Sequence, residues 1–242
     1  MDFVTQKQIG NLILSALPGE EYNRLLPDLE PIKMELGELI DRPYEVIEYV
    51  HFPQNSIVSS VTYLDDGTSV EAGVIGREGT TGIAIALSNT KSPLEVSVQI
   101  PGDCLRIKAD GFKQALEDNP VLKRLVHRHI FAYIAQVSHV NACNAHHVLE
   151  KRLARWLLMC RDRVNSDVLP ETQEFIAQML GVHRPGVTIV ALNLKEAGII
   201  NYRRGEITIC DRAKLGKASC KCYEAIKKDY DDYLKPDNQN NR

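Results

Sequence analysis

Gln173-Glu174-Phe175-Ile176-Ala177-Gln178-Met179-Leu180-Gly181-Val182-His183-Arg184-Pro185-Gly186-Val187-Thr188-Ile189-Val190-Ala191-Leu192, with Thr172 in front of it, reads as two helices joined by a tight turn. Thr172 offers a hydroxyl where the first helix needs an N-cap. Ala177 is small where the helices must cross, and Gly181 supplies the positive φ of the turn. Ile176, Leu180, Val182, Val187 and Val190 form the apolar faces that lock the pair. Pro185 fits because it falls in the first turn of the second helix, where its missing N–H has no partner to lose. A helix-turn-helix of this kind presents His183, Arg184, Gly186 and Thr188 at the end that enters the major groove of DNA. Thr172 and Gln173 would anchor the first helix on phosphate, while His183, Arg184 and Thr188 read base edges.

The next residues extend the motif. Lys195-Glu196-Ala197-Gly198 is a helix stop. Ile199-Ile200-Asn201-Tyr202 and Glu206-Ile207-Thr208-Ile209 are two strands around the basic tip Arg203-Arg204-Gly205. This is the winged form of a helix-turn-helix, with Arg203 and Arg204 set to clamp the flanking backbone. A competing reading is a helical hairpin beside a β-hairpin with no DNA role. Charge favours the first. Residues 1–118 carry 9 Lys+Arg against 19 Asp+Glu, a net of −10, whereas residues 119–242 carry 20 against 13, a net of +7. Such asymmetry is expected when one domain meets a polyanion, because surface Lys and Arg gain affinity for nucleic acid by displacing counterions.

Upstream, beyond Asp118-Asn119-Pro120, residues 119–146 predict one long helix, with no Gly or Pro from Val121 to Leu169. Val126, Ile130, Tyr133, Val137 and Val140 fall at 4-3-4-3 spacing and draw an apolar seam along it. A single seam on a long helix needs a partner, and the simplest is a twofold mate, so the seam is expected to make a homodimer. The alternative is a helix packed on its own domain. Further upstream the period becomes that of strands. Val46-Ile47-Glu48-Tyr49-Val50-His51-Phe52, Ser56-Ile57-Val58-Ser59-Ser60-Val61-Thr62-Tyr63-Leu64, Ser69-Val70-Glu71-Ala72-Gly73-Val74-Ile75 and the segment 94–100 are short and β-branched. Asp65-Asp66-Gly67-Thr68 is a hairpin signal between two of them. Short strands at this spacing predict a compact antiparallel roll, entered through two short helices in residues 3–30. The fold class is therefore α+β, with a roll over 1–118, a dimerisation helix over 119–146 and a winged helix-turn-helix over 147–242.

Several classes are disfavoured. The 242 residues are 44 % apolar and 25 % charged, an ordinary soluble balance. No window approaches the roughly eighteen uninterrupted apolar residues of a membrane span. The opening Met1-Asp2-Phe3-Val4-Thr5-Gln6-Lys7 lacks the basic-then-apolar pattern of a secretory signal, and six cysteines without framework spacing fit a reducing cytoplasm. Gly76-x-x-Gly79-x-x-Gly82 looks like a phosphate cradle, the one hint of a phosphate-handling enzyme. No Gly-Lys-Ser/Thr follows, so a structural turn is the better reading. Cys220-Lys221-Cys222, with Cys210 upstream, has tighter spacing than zinc sites favour and no second pair, so no metal and no cofactor are expected. His127, His129, His139, His146 and His147 read as solvated helix-surface histidines, although His146-His147 at a hinge could sense pH or metal. The tail 235–242 is polar and reads as frayed.

The whole chain resembles the Crp–Fnr transcription regulators over residues 20–234. The likeness is strongest in Glu150-Lys151-Arg152-Leu153-Ala154-Arg155-Trp156-Leu157-Leu158, in residues 172–188 and in Leu194-Lys195-Glu196-Ala197-Gly198-Ile199-Ile200. The resemblance implies a front roll like a cyclic-nucleotide-binding domain, and double-stranded DNA with a twofold-symmetric site as partner of a homodimer. It also implies an effector pocket at Gly76, Arg77, Glu78, Glu95 and Ser138, serving an unknown small molecule, or else a contact with RNA polymerase. Departures narrow this. Leu94-Glu95-Val96 stands where cyclic-nucleotide members carry a phosphate-binding Arg, and an acid there repels phosphate. Val137-Ser138 replaces a Thr-Ser pair that reaches the base. Arg184-Pro185-Gly186-Val187-Thr188-Ile189 lacks the usual Arg-Glu-x-x-x-Arg. Neither cAMP binding nor the standard operator is expected. The first cysteine, Cys104, excludes the N-terminal cluster of the iron–sulfur branch. An alternative within the fold is a ligand-sensing or protein-interaction module that no longer binds DNA.

Overall fold

The computed structural model describes Gln6 and residues 9–235. The rest of the opening segment and of the polar tail lies outside the described residues. Two short helices, α1 (Leu12–Ser15) and α2 (Gly19–Leu25), lead into the strands, as the apolar spacing predicts. Asn11 caps α1, its side chain accepting from the Ile13 and Leu14 amides, while its own amide group donates to the Pro53 and Gly79 carbonyls.

Seven strands follow: β1 (Glu30–Met34), β2 (Leu39–Asp41), β3 (Tyr49–Pro53), β4 (Ile57–Tyr63), β5 (Ser69–Ile75), β6 (Glu95–Ile100) and β7 (Gly102–Lys108). They form two antiparallel sheets, ordered β1-β7-β3 and β2-β6-β4-β5. The β4–β5 hairpin turns at Asp65-Asp66-Gly67, with Gly67 at φ +81, a backbone state that suits glycine. Strands β1, β2 and β7 extend the roll beyond the four segments that alternation marks out. A short helix, α3 (Ile83–Ala86), and a longer one, α4 (Ala109–Asp118), close the roll.

Helix α5 (Pro120–His146) is the predicted long helix, with Asn119 Oδ1 accepting from the Leu122 amide as its cap. The C-terminal part comprises α6 (Leu149–Val164), β8 (Val168–Leu169), α7 (Gln173–Met179), α8 (Arg184–Glu196), β9 (Ile200–Arg203), β10 (Glu206–Ile209), α9 (Arg212–Ala218) and α10 (Lys221–Tyr233). Strands β8, β10 and β9 form a third antiparallel sheet.

The seam on α5 faces its own chain, which corrects the expectation for it. Val126, Ile130, Tyr133 and Val140 are buried within this single chain, and Val137 packs beside Tyr133 against the roll's smaller apolar cluster. Roll and α10 cover that face, so none of it is left for a mate. The neighbouring stripe, His127, Phe131, Ile134, Ser138 and Asn141, one residue further round the helix, repeats the same 4-3-4-3 spacing in solvent. Phe131 is 72 % exposed and Ile134 57 %.

The C-terminal domain is docked onto the roll. One contiguous apolar core joins Ile13, Phe52 and Phe112 of the front to Trp156, Leu169 and Val187 of the back. Polar contacts run through it. Trp156 Nε1 donates to Glu71 Oε1 at 3.2 Å, and Gln99 Nε2 to Glu171 Oε1 at 3.1 Å. Arg163 pairs with Glu78 at 2.7 Å, both nearly buried. The glycine trio is explained by close packing: a Cβ on Gly76, Gly79 or Gly82 would lie 2.6, 2.2 or 2.5 Å from side-chain atoms of Arg163, His129 and Phe112.

Candidate nucleic-acid interface

The helix-turn-helix is built as its residues require. Thr172 Oγ1 accepts from the Phe175 amide at 3.1 Å and caps α7. Gly181 sits at φ +60, and the turn is closed by the Val182 amide donating to the Ala177 carbonyl at 2.9 Å. Buried Ile176, Ala177, Leu180 and Val187 seal the inner face. The two helices bend by 113° relative to each other, within the range of DNA-binding helix pairs. Pro185 lies in the first turn of α8.

This geometry puts His183, Arg184 and Thr188 together on an exposed face beside Thr172 and half-buried Gln173. Thr188 Oγ1 lies 2.6 Å from Gln173 Oε1, a contact that ties the two helices together on that face. Arg184 reaches Glu174 at 3.7 Å, with side chains 63 % and 75 % exposed. Such an exposed pair is weak and leaves the guanidinium free to exchange partners. Gly186 departs from its predicted role. It is half-buried, and a Cβ there would lie 3.1 Å from Leu149 Cδ2, so glycine serves the close approach of α8 to α6 rather than a base. Arg203 and Arg204 are exposed at the tip of the β9–β10 wing, where Gly205 takes φ +75.

Residues 151–218 match the model of the Crp-like helix-turn-helix domain. The chain carries a Crp-like helix-turn-helix domain. A global nitrogen regulator from Nostoc sp. is 24 % identical over 185 residues, covering 72 % of this chain and 82 % of that protein. FixK2 from Bradyrhizobium japonicum superposes with a TM-score of 0.68 at 17 % identity, covering 79 % of this chain and 98 % of that one. A Crp–Fnr regulator from Eubacterium rectale gives 0.64 at 17 % identity over 85 % and 96 %. The Nostoc protein is a global nitrogen regulator and the Eubacterium protein a transcriptional regulator.

The front-domain residues suggested by the Crp–Fnr likeness are not brought together. Glu78 is buried against Arg163, and the Arg77 carbonyl accepts from the Leu12 amide. Glu95 accepts from the Tyr63 hydroxyl at 2.9 Å, whereas its neighbours Leu94 and Val96 line the roll's cavity. Alternation along β6 turns Glu95 away from that cavity, so repulsion by this acid is not what governs it. Ser138 stands on the outward stripe of α5, donating to the Ile134 carbonyl. The cavity, about 310 Å³, is lined by Asp41, Ser60, Thr81, Lys91, Leu94 and Tyr133 among others, with no arginine. Burial raises the Asp41 carboxyl to about 6.

Two readings of single residues change. His129 is fully buried beside Tyr230 and Tyr233 and not solvated, and burial lowers its pKa to about 4. His147 is half-buried, with Nδ1 3.8 Å from Cys222 Sγ.

Proposed function

We propose that this chain is a sequence-specific regulator of the Crp–Fnr type that binds a twofold-symmetric DNA site as a homodimer, in the cytoplasm where that DNA lies. The carrying observation is the joint exposure of Arg184, Thr188 and the Arg203-Arg204 wing tip on a buried, rigid scaffold. Arg184 and Thr188 read base edges, and the wing arginines hold phosphate. The stripe Phe131, Ile134, Ser138 and Asn141 supports the dimer: residues at 3-4-3 spacing in solvent, two of them large and apolar, fit a helix mate.

The docked arrangement gives an effector or partner protein a route to the DNA-binding head. Strand β5 touches the head at several points: Gln178 Nε2 donates to Ser69 Oγ at 2.9 Å, Val70 packs on Gly181, and Glu71 accepts from Trp156. A ligand in the neighbouring cavity that prefers one position of β5 would shift the population of head orientations. Selection of fragments from random DNA with the full chain, followed by sedimentation of the complex, tests the proposal. A symmetric consensus bound by two chains is expected. No retarded complex at low salt would overturn it and leave a sensing module without a DNA role.

A further inference from the structure

Four side chains that the DNA-binding reading does not use meet at the joint between the long helix and the C-terminal domain. They are Cys143, His147, Cys220 and Cys222. Cys143 and His147 are one helical turn apart at the end of α5, which puts both on one face. Cys220 is the N-cap residue of α10 and Cys222 lies in its first turn. Packing of α10 along α5 brings the two pairs together, so the second pair missing beside Cys-x-Cys is a Cys-x-x-x-His 73 residues upstream of it. Cys210 is exposed and outside the group.

The geometry points to a tetrahedral Cys3His site for a single zinc-class ion, which staples the end of α5 to the start of α10. The four ligand atoms lie within 4.8 Å of one another. Cys143 Sγ and Cys220 Sγ are 3.5 Å apart, and Cys222 Sγ is 3.8 Å from His147 Nδ1. A tetrahedral ion with sulfur at about 2.3 Å and nitrogen at about 2.0 Å needs edges of about 3.5–3.8 Å, so small side-chain adjustments suffice. Three sulfurs and an imidazole select a soft or borderline ion over magnesium or calcium.

Charge supports the assignment independently. Three thiolates and a neutral imidazole around a divalent ion carry one net negative charge. Arg155 lies beside Cys143, is 1 % exposed, and has a buried Nε without a hydrogen-bond partner. Its terminal nitrogens hydrogen-bond Met159 Sδ and Asn144 Oδ1, and no carboxylate is in ion-pair range among the described residues. Glu71 senses this guanidinium electrostatically without pairing with it, and a metal–thiolate group beside Cys143 would add a second anion. The start of α10 adds its partial positive charge on the same side.

The test uses the full chain, purified anaerobically with reductant and dialysed against excess zinc, then against buffer. Elemental analysis should find about one zinc per chain, falling below about a tenth in Cys220→Ser and in His147→Ala, with Cys210→Ser unchanged. Cobalt(II) substitution should give the intense visible bands of a tetrahedral thiolate site in the wild type. Chelation should lower its melting midpoint by several degrees and leave that of Cys220→Ser where it was. A wild type that retains no zinc, or cobalt without those bands, overturns the site. So does a reduced wild-type sample in which Cys143 and Cys220 are already joined as a disulfide. None of these readings requires DNA, so this inference and the DNA-binding proposal fail separately.

Discussion

Arg184 and Arg204 are both exposed arginines of the DNA-binding head, yet their positions assign them different work. Arg184 stands at the start of α8, where a long side chain reaches guanine O6 and N7. Arg204 sits on the wing, where phosphate is the partner within reach. Arg184→Ala should cost about 1–3 kcal/mol on the selected site and flatten preference at one base pair per half-site. Arg204→Ala should weaken all sequences alike and lower the salt slope by about one unit for each phosphate that Arg204 neutralises. Competition binding at two salt concentrations separates them. If Arg184→Ala scales every sequence down together, α8 does not read bases. Glu174 competes with DNA for Arg184 and carries a charge that phosphate repels. Glu174→Gln should therefore tighten binding to all sequences, and a loss of affinity would contradict this. At the roll, no arginine lines the cavity, so cAMP and cGMP should bind with Kd no tighter than about 10 μM, or roughly −7 kcal/mol. Saturable calorimetric binding below that value would refute the expectation.

Helix α5 shows how one periodic pattern can hide behind another. Two stripes of one spacing run along it, the outer one apolar at Phe131 and Ile134, and heptad spacing alone does not say which side of Ile130 and Phe131 meets the protein's own core. Ile130 is 5 % exposed, so Ile130→Asp should bury an unpaired charge and lose about 3 kcal/mol or more of stability. Phe131→Asp with Ile134→Asp should leave the melting midpoint of the chain near that of the wild type while abolishing the dimer. Sedimentation with thermal melting of both variants distinguishes a core face from a mating face. A Phe131→Asp, Ile134→Asp double variant that remains dimeric would place the interface elsewhere.

At the scale of the whole molecule, the docked domains enclose titratable groups that make stability depend on pH. Burial raises Glu71 to about 7 and Glu171 to about 8, against 4.5 when free. The folded chain thus keeps protons that the unfolded chain releases above about pH 4.5, and this contribution is lost as pH rises through 7 and 8. Burial lowers His51 and His129 to about 4, against 6.5, so the unfolded chain takes up protons that the folded chain refuses. Their contribution is present above about pH 6.5 and is lost as pH falls toward 4. Between about pH 4.5 and 6.5 the two effects offset each other, so the melting midpoint should stay nearly level there and fall as pH rises from about 6.5 to 8. Glu171→Gln should flatten the fall between about pH 7 and 8.5, by an amount on the order of 1 kcal/mol. Calorimetry across that range checks it, and an alkaline limb as steep in Glu171→Gln as in the wild type would remove Glu171 from the account.

What the sequence determined by itself is what short-range sterics and periodicity dictate. Thr172, Gly181 and Pro185 specify a cap, a left-handed turn and a helix start within fifteen residues, and Arg203-Arg204-Gly205 specifies a wing. Alternation specifies the roll, and the run without Gly or Pro specifies α5. Tertiary structure alone decided which stripe of α5 is inside, because both stripes share one spacing and burial depends on what packs against them. It decided that Gly186 serves a helix crossing and that Glu95 turns from the cavity. It also brought Cys143 and His147 to Cys220 and Cys222. Ligands from two helices so far apart in sequence meet only when the chain is folded, and no local rule encodes that distance.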